Sequence, residues 1–224
     1  MKKAIVIGAS GAIGHAVSQA LETTGIEVVR LSRPQIDMTS EASIIETASL
    51  LKTQGYVDLI FIASGILHTP DLQPEKTIKQ IDPQHLHTLY QINAIGPILV
   101  LKHFAPLLNP NNRSVFAALS ARVGSISDNQ LGGWYGYRAS KAALNMLLKT
   151  ASIEYRRTHK SLIIAGLNPG TVDSQLSKPF QAYVPTDHLF TPEYAAQHLL
   201  EVINGLNLED SGNCFDWDRK KIEF

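Results

Sequence analysis

The sequence holds one cysteine, Cys214. A single thiol cannot close an intramolecular disulfide or build a four-thiolate zinc site, and a reducing, cytoplasmic setting is the simpler expectation. An excess of either charge is missing too. Twenty basic and 20 acidic side chains cancel to a formal net charge of zero, which argues against broad phosphate neutralisation and so against a nucleic-acid partner. Long hydrophobic runs are absent. The N-terminal apolar run, Ala4 to Ile7, is too short for a signal core, and nothing approaches the ~18 apolar residues of a membrane span. No linker, low-complexity tract or repeat interrupts the chain. What is present is an apolar content of 44% on 224 residues. That is enough for a sizeable core in a single domain, 1–224.

Apolar runs alternate with helical spacings. "AIVI" (4–7) ends at Gly8 as a buried strand would. "IGHAVSQALETTG" puts Ile13, Ala16, Val17, Ala20 and Leu21 on one face. "EVVRLS" predicts a second strand and "QIDM" a short third. "SEASIIETASLLKTQG" predicts a helix with Ile44, Ile45, Ala48 and Leu51 inward. "DLIFIAS" follows as a strand, then a helical region from about Pro83 to Leu108, broken around Gly96-Pro97. "SVFAAL" and "LIIAGLNPG" are strands on either side of a helix reaching about Arg157. Thr191-Pro192-Glu193 is a helix start with a hydroxyl cap, proline at the first position and an acid in the first turn. "NCFDW" closes the pattern. Strands apolar on both faces, alternating with helices, predict an α/β fold: a doubly wound parallel sheet of the Rossmann type, about seven strands with helices on both faces. Ligands in such sheets bind beyond the carboxyl ends of the strands.

The first strand end reads "GASGAIG", with Gly8, Gly11 and Gly14. A glycine turn opening the first helix lets a pyrophosphate approach free N–H groups and a partial positive charge. The second strand end reads "RLSR". Ser32 stands where an NAD site wants an acid, and Arg33 follows, with Arg30 nearby. A guanidinium binds a 2'-phosphate that a carboxylate would repel, so NADP is favoured. Asp37 and Met38 are weaker candidates for flanking the adenine. In "GWYGYRASKAALNM", Tyr137 and Lys141 lie at i and i+4 and share a helix face, whereas Tyr135 has no such partner. A cation ~4 Å away at an effective dielectric of ~20 is worth about 4 kcal/mol. It would lower a phenol from its usual pKa near 10 by roughly three units, giving a general acid/base for neutral pH.

With these motifs go "IASG" (62–65), "QINAIGP" around Asn93, "LSARVGS" (119–125), "YRASK" (137–141) and "NPGTVDS" (168–174). Together they resemble the short-chain dehydrogenase/reductase family over nearly the whole chain, and within it the small carbonyl-reductase-like and C-factor-like members. The resemblance implies an NADP-dependent oxidoreductase that transfers a hydride between cofactor and a carbonyl or alcohol. Tyr137 would be the proton donor, and Lys141 would tune it and hold the nicotinamide ribose. Asn93 would kink its helix and position a water. Ser120 would bind the substrate oxygen. Cofactor contacts would come from Gly8, Ser10, Gly11, Ile13, Gly14, Ser32, Arg33, Asp37, Met38, Ala63, Ser64, Gly65, Pro169, Gly170 and Val172, besides Asn93, Tyr137 and Lys141. Relatives often pair through the helices at about 85–108 and 134–157, so a homodimer or homotetramer is expected.

Three departures stand out. Ala12 replaces the middle glycine of the short-form pattern. Ala121 falls where many relatives carry the catalytic serine, leaving Ser120 or Ser125 for the role. The segment after Gly170 is short, which predicts a small lid and an open pocket. His85 and His87 lie two apart, so no metal is expected. Arg122, Lys178 and His188 are candidate substrate anchors. Trp134 and Tyr135 are open between pocket mouth and packing. The C-terminal "DWDRKKIEF" is expected to dock through Trp217 and Phe224. Two other functions compete. A nucleotide-sugar epimerase needs a large C-terminal domain, and only 54 residues follow Gly170 here. A non-catalytic dinucleotide-binding signalling or redox-sensing protein would not need Tyr137 and Lys141.

Overall fold

The computed structural model describes residues 1–224, apart from the side chain of Tyr183. The chain runs β1 (Lys3–Ile7), α1 (Ala12–Thr23), β2 (Glu27–Leu31), α2 (Glu41–Leu51), β3 (Leu59–Ile62), α3 (Pro83–Tyr90), α4 (Gly96–Phe104), β4 (Ser114–Leu119), α5 (Tyr135–Tyr155), β5 (Leu162–Asn168), β6 (Thr171–Val172), β7 (Leu189–Phe190), α6 (Pro192–Gly205), β8 (Asn213–Asp216) and β9 (Lys221–Ile222). Seven strands form one sheet in the order β2-β1-β3-β4-β5-β8-β9. All neighbours pair in parallel except β8 and β9. The doubly wound α/β expectation therefore holds.

Strand alternation sorts the core into two layers. Ile5, Ile7, Ile60, Ile62, Phe116 and Ala118 pack towards α2, α4 and α5. Ala4, Val6, Leu59, Phe61, Val115 and Ala117 pack towards α1 and α6. Four consecutive residues of β3 and all six of β4 are buried, which is why those strands read as unbroken apolar runs. α6 starts as its sequence predicts: the Thr191 hydroxyl accepts from the Tyr194 N–H at 3.2 Å.

Four expectations are corrected. "QIDM" is not a strand, and residues 33–40 turn instead. The Asp37 carboxylate accepts from the Thr39 N–H at 2.8 Å and from its hydroxyl at 2.7 Å, an Asx-type turn that competes with a ladder. Ile36 and Met38 are buried all the same, 2% and 7% exposed. Ile45 is exposed, and only Ile44, Ala48 and Leu51 of its predicted face turn inward. The break between α3 and α4 lies at residues 91–95, one turn earlier than Gly96-Pro97. Pro97 has no N–H for the Asn93 carbonyl four residues before it, and the helix widens, with the Gly96 N–H donating to the Gln91 carbonyl. Lastly, the C-terminal segment adds the antiparallel strand β9. Trp217 docks within the chain, with its ring 4.7 Å from Phe190, while Phe224 stays 41% exposed.

Phe61, fully buried at mid-sheet, gives a direct test of this core. Phe61→Ala is expected to cost about 3–5 kcal/mol, read from urea unfolding midpoints. A change under about 1 kcal/mol would mean the site is not packed as described.

Candidate active site

A cleft of about 1270 Å³ opens at the carboxyl ends of the strands. Its floor holds Tyr137 and Lys141 from α5. One end reaches Ile13 in the first turn of α1 together with Ala63, Ser64 and Gly65 after β3. Ser120, Pro169, Gly170 and Val172 also line it. The structure thus gathers residues that are scattered along the sequence.

The turn before α1 leaves backbone N–H groups uncapped. Gly11 holds the cap position of α1 and has no side chain to fill it, so the first N–H groups stay free at the positive end of the helix. Gly8 has φ +87°, and a Cβ there would lie 2.7 Å from the Ser64 nitrogen. Ala12 is the first residue of α1, a position that tolerates a side chain, so the missing glycine leaves the turn intact. The Ser32 hydroxyl accepts from the Ser10 N–H at 2.9 Å, tying the end of β2 to this turn. Arg30 is already engaged: it donates to Glu22 at 2.9 and 2.6 Å. Of the two arginines that the second strand end offers, Arg33 is the one without such a partner among the described residues. Neither Arg33 nor Asp37 and Met38 line the cleft itself.

Lys141 is 3% exposed and donates from Nζ to the Leu119 carbonyl at 2.8 Å. Burial pulls its pKa down to about 8. Nζ lies 5.8 Å from the centre of the Tyr137 ring. Tyr137 is 8% exposed, and burial pushes its pKa up to about 12. This reverses the expected downward shift. Desolvation of the phenol is the cause, and the ammonium is turned to the Leu119 carbonyl.

Asn93 stands behind this pair and is wholly buried. Its side chain donates to the Ile66 carbonyl at 2.8 Å and to the Ser140 hydroxyl at 3.1 Å, and accepts from the Ile66 N–H at 2.9 Å. Ser120 donates to Asn145 Oδ1 at 2.6 Å. Ser125 faces Ser127 at 3.2 Å and accepts from the Asp128 N–H, outside the cleft lining. Burial raises the Cys214 thiol to about 12, consistent with a small core group.

The reactive end has an apolar wall that sequence reading missed. Leu67, Leu72 and Leu89 pack with Tyr137, and Ala121, Val123, Trp134 and Phe180 close around them. The Trp134 and Phe180 rings lie 4.9 Å apart. Ala121 and Val123 lie in "LSARVGS", and the sequence leaves Trp134 open between pocket mouth and packing, whereas Leu67, Leu72, Leu89 and Phe180 are far apart in the chain and carry no motif. Trp134 therefore belongs to the pocket, whereas Tyr135 does not line it. Arg122 lines the mouth but is paired with Asp216 and, at 3.1 Å, with Asp128. Asn168 holds Asp216 from the other side at 2.9 Å. Of the other two anchor candidates, His188 reaches the cleft and Lys178 does not. Among the described residues no cluster of His, Cys, Asp and Glu could hold a metal, and no helix is long and apolar enough to cross a membrane.

A family model described as short chain dehydrogenase matches residues 32–184. The chain belongs to the short chain dehydrogenase family. It is an NAD(P)-dependent oxidoreductase of that family. This dehydrogenase is 30% identical over 228 residues to a 1-hydroxy-2-glutathionyl-2-methyl-3-butene dehydrogenase of a Rhodococcus species, covering 95% of each chain. It is 33% identical over 142 residues to the C-signal protein of Myxococcus xanthus, covering 63% of this chain and 80% of the other. The NADPH-bound carbonyl reductase from chicken fatty liver shares its fold, with a TM-score of 0.86 and 23% identity over 100% of this chain and 99% of that one.

The buried lysine predicts a pH signature. The native state holds the Lys141 proton less tightly than the unfolded chain, so the cost of burying an ammonium is full below about pH 8. It fades as pH rises towards 10.5. Lys141→Met lacks this dependence. It should exceed wild type in stability by a gap whose pH-dependent part is about 3 kcal/mol, shrinking between pH 8 and 10 in urea titrations. A gap that stays flat over that range would count against the burial.

Proposed function

We propose that this dehydrogenase uses NADP to interconvert a carbonyl and an alcohol, with Tyr137 as general acid/base. The observation that carries the reading is the meeting of Tyr137 and Lys141 on the floor of the cleft that begins at the uncapped end of α1. Gly8, Gly11, Ile13 and Gly14 would take the pyrophosphate. Ala63, Ser64 and Gly65 would take the adenine ribose, and Pro169, Gly170 and Val172 the nicotinamide. Arg33 would bind the 2'-phosphate, with Asp37 and Met38 beside the adenine. NADP is supported because no acid stands at the end of β2, and the Asp37 carboxylate is turned onto Thr39.

When bound, the nicotinamide supplies the hydride to the carbonyl carbon. At neutral pH Tyr137 keeps its proton, since burial raises its pKa. It donates that proton to the substrate oxygen as negative charge develops there. Lys141 is mostly charged at neutral pH. Its charge, 5.8 Å from the ring centre, favours the phenolate that results. The wall of Leu67, Val123, Trp134 and Phe180 excludes water and strengthens both effects. Asn93 holds the segment after β3 against α5. Ser120 would supply a second hydrogen bond to the substrate by releasing Asn145. The cleft of about 1270 Å³ would hold the dinucleotide and the substrate together. The Rhodococcus relative, by its name, acts on a hydroxyl compound carrying a glutathionyl group. A single domain working in the cytoplasm as a homo-oligomer completes the reading. Exposed Met146 and Ile153 on α5 suit such pairing.

Tyr137→Phe is expected to lower kcat by about 10²–10⁴-fold while the Kd for NADPH stays unchanged, measured on quinones, aldehydes and diketones. Retained turnover would remove Tyr137 from the chemistry. Arg33→Ala should raise the Kd for NADPH by about 10–100-fold, the loss of one charge-assisted contact, and leave NADH unaffected. An equal effect on both cofactors would contradict 2'-phosphate recognition.

A further inference from the structure

We propose that Glu75, from the loop between β3 and α3, is a positioning residue for Tyr137: its carboxylate caps the N-terminus of α5. The inference rests on Tyr137 being the acid/base. α5 has 21 residues but no side-chain cap of its own and no acidic residue in its first turn. The helix is entered through Trp134 in the left-handed region, φ 51°. The missing cap arrives from 61 residues away. The Gly136 N–H faces both Glu75 carboxylate oxygens, at 3.3 and 3.2 Å. The Trp134 N–H donates to the Glu75 main-chain carbonyl at 2.5 Å.

Glu75 is 2% exposed, and among the described residues no Lys, Arg or His forms an ion pair with it. A buried carboxylate without a cation needs another source of positive potential. The free N–H groups and positive end of a long helix provide it. Gly136 permits the approach: a Cβ there would lie 2.9 Å from Glu75 Oε1 and 2.7 Å from a Leu89 methyl.

Tyr137 is the next residue. Leu72, on the same loop, packs with Tyr137 and Leu89. Gln73, Pro74 and Lys76 line the cleft on either side of Glu75. One segment therefore walls the substrate side and fixes the first turn of the catalytic helix. Without the carboxylate that turn loses its acceptor, and the phenol samples a wider range of positions.

The test compares Glu75→Ala, Glu75→Asp and Glu75→Gln in the full chain, with Tyr137→Phe alongside. Turnover with NADPH and amide hydrogen exchange across α5 are both measured. The alanine and the shorter aspartate variants should lose about 10–100-fold in kcat, the effect of ~1 Å of misplacement, with KM and the Kd for NADPH little changed. Exchange should quicken at residues 134–138 and not along the rest of α5. The glutamine variant keeps an acceptor at the same reach and should restore most of kcat and of the protection. Unchanged exchange at 134–138 in the alanine variant would overturn the cap. So would a kcat loss that comes with loosening of the whole chain and is not restored by glutamine. If Tyr137→Phe itself retains turnover, the acid/base reading fails, and the cap is then decided by the exchange pattern alone.

Discussion

A buried ammonium dictates the arrangement of this site. Lys141 is out of water, and its Nζ meets the last carbonyl of β4. That contact fixes α5 against the sheet end, since a charged group in an apolar interior is tolerated only with an acceptor at hand. The phenol one helical turn earlier is then held at the cleft floor. Burial moves the two groups in opposite directions, the lysine down and the tyrosine up. The state at neutral pH is consequently an ammonium beside a neutral phenol. On the proposed acid/base reading, that is the state a proton donor needs before its substrate becomes an anion.

The same floor is braced from behind. Pro97 denies Asn93 the usual helical donor, and the chain widens at 91–95. The Asn93 side chain then spans two elements: it grips Ile66 after β3 and meets the Ser140 hydroxyl, which in turn donates to the Tyr137 carbonyl at 2.8 Å. A local helix defect is in this way converted into a link between the end of the third strand and the first turns of α5. The bracket is polar and centred on the buried Asn93 and Ser140 side chains, and its groups are hydrogen-bonded, so it adds rigidity where an unsatisfied network would subtract it.

The parts of this structure legible in the sequence are those set by local rules. The unbroken apolar runs marked the strands, the glycine turn marked the uncapped start of α1, and i to i+4 spacing paired Tyr137 with Lys141. Thr191 marked its helix start. The parts that could not be read depend on competition between distant groups. Asp37 folds back on Thr39 and removes a strand that composition alone allowed. Glu22 claims Arg30 across a helix–strand gap. Asn145 claims the Ser120 hydroxyl. The pKa of Tyr137 rises because burial desolvates the phenol, which spacing does not reveal.

This division follows the two ends of the cleft. The end reaching α1 is made of strand termini and the first turn of a helix, whose backbone groups recur wherever the same short motif recurs. The reactive end is made of side chains on three separate segments: Leu67, Val123 with Trp134, and Phe180. The Trp134–Phe180 contact at 4.9 Å and the approach of His68 to Phe180 at 5.8 Å join them. Such contacts are non-directional and tolerate changes of shape. Substitutions there reshape the cleft and bear on the Tyr137 ring as well, since Leu67, Leu72, Leu89 and Trp134 pack with it. Wall and floor are therefore mechanically coupled through Tyr137, and the wall is the part on which sequence is least informative.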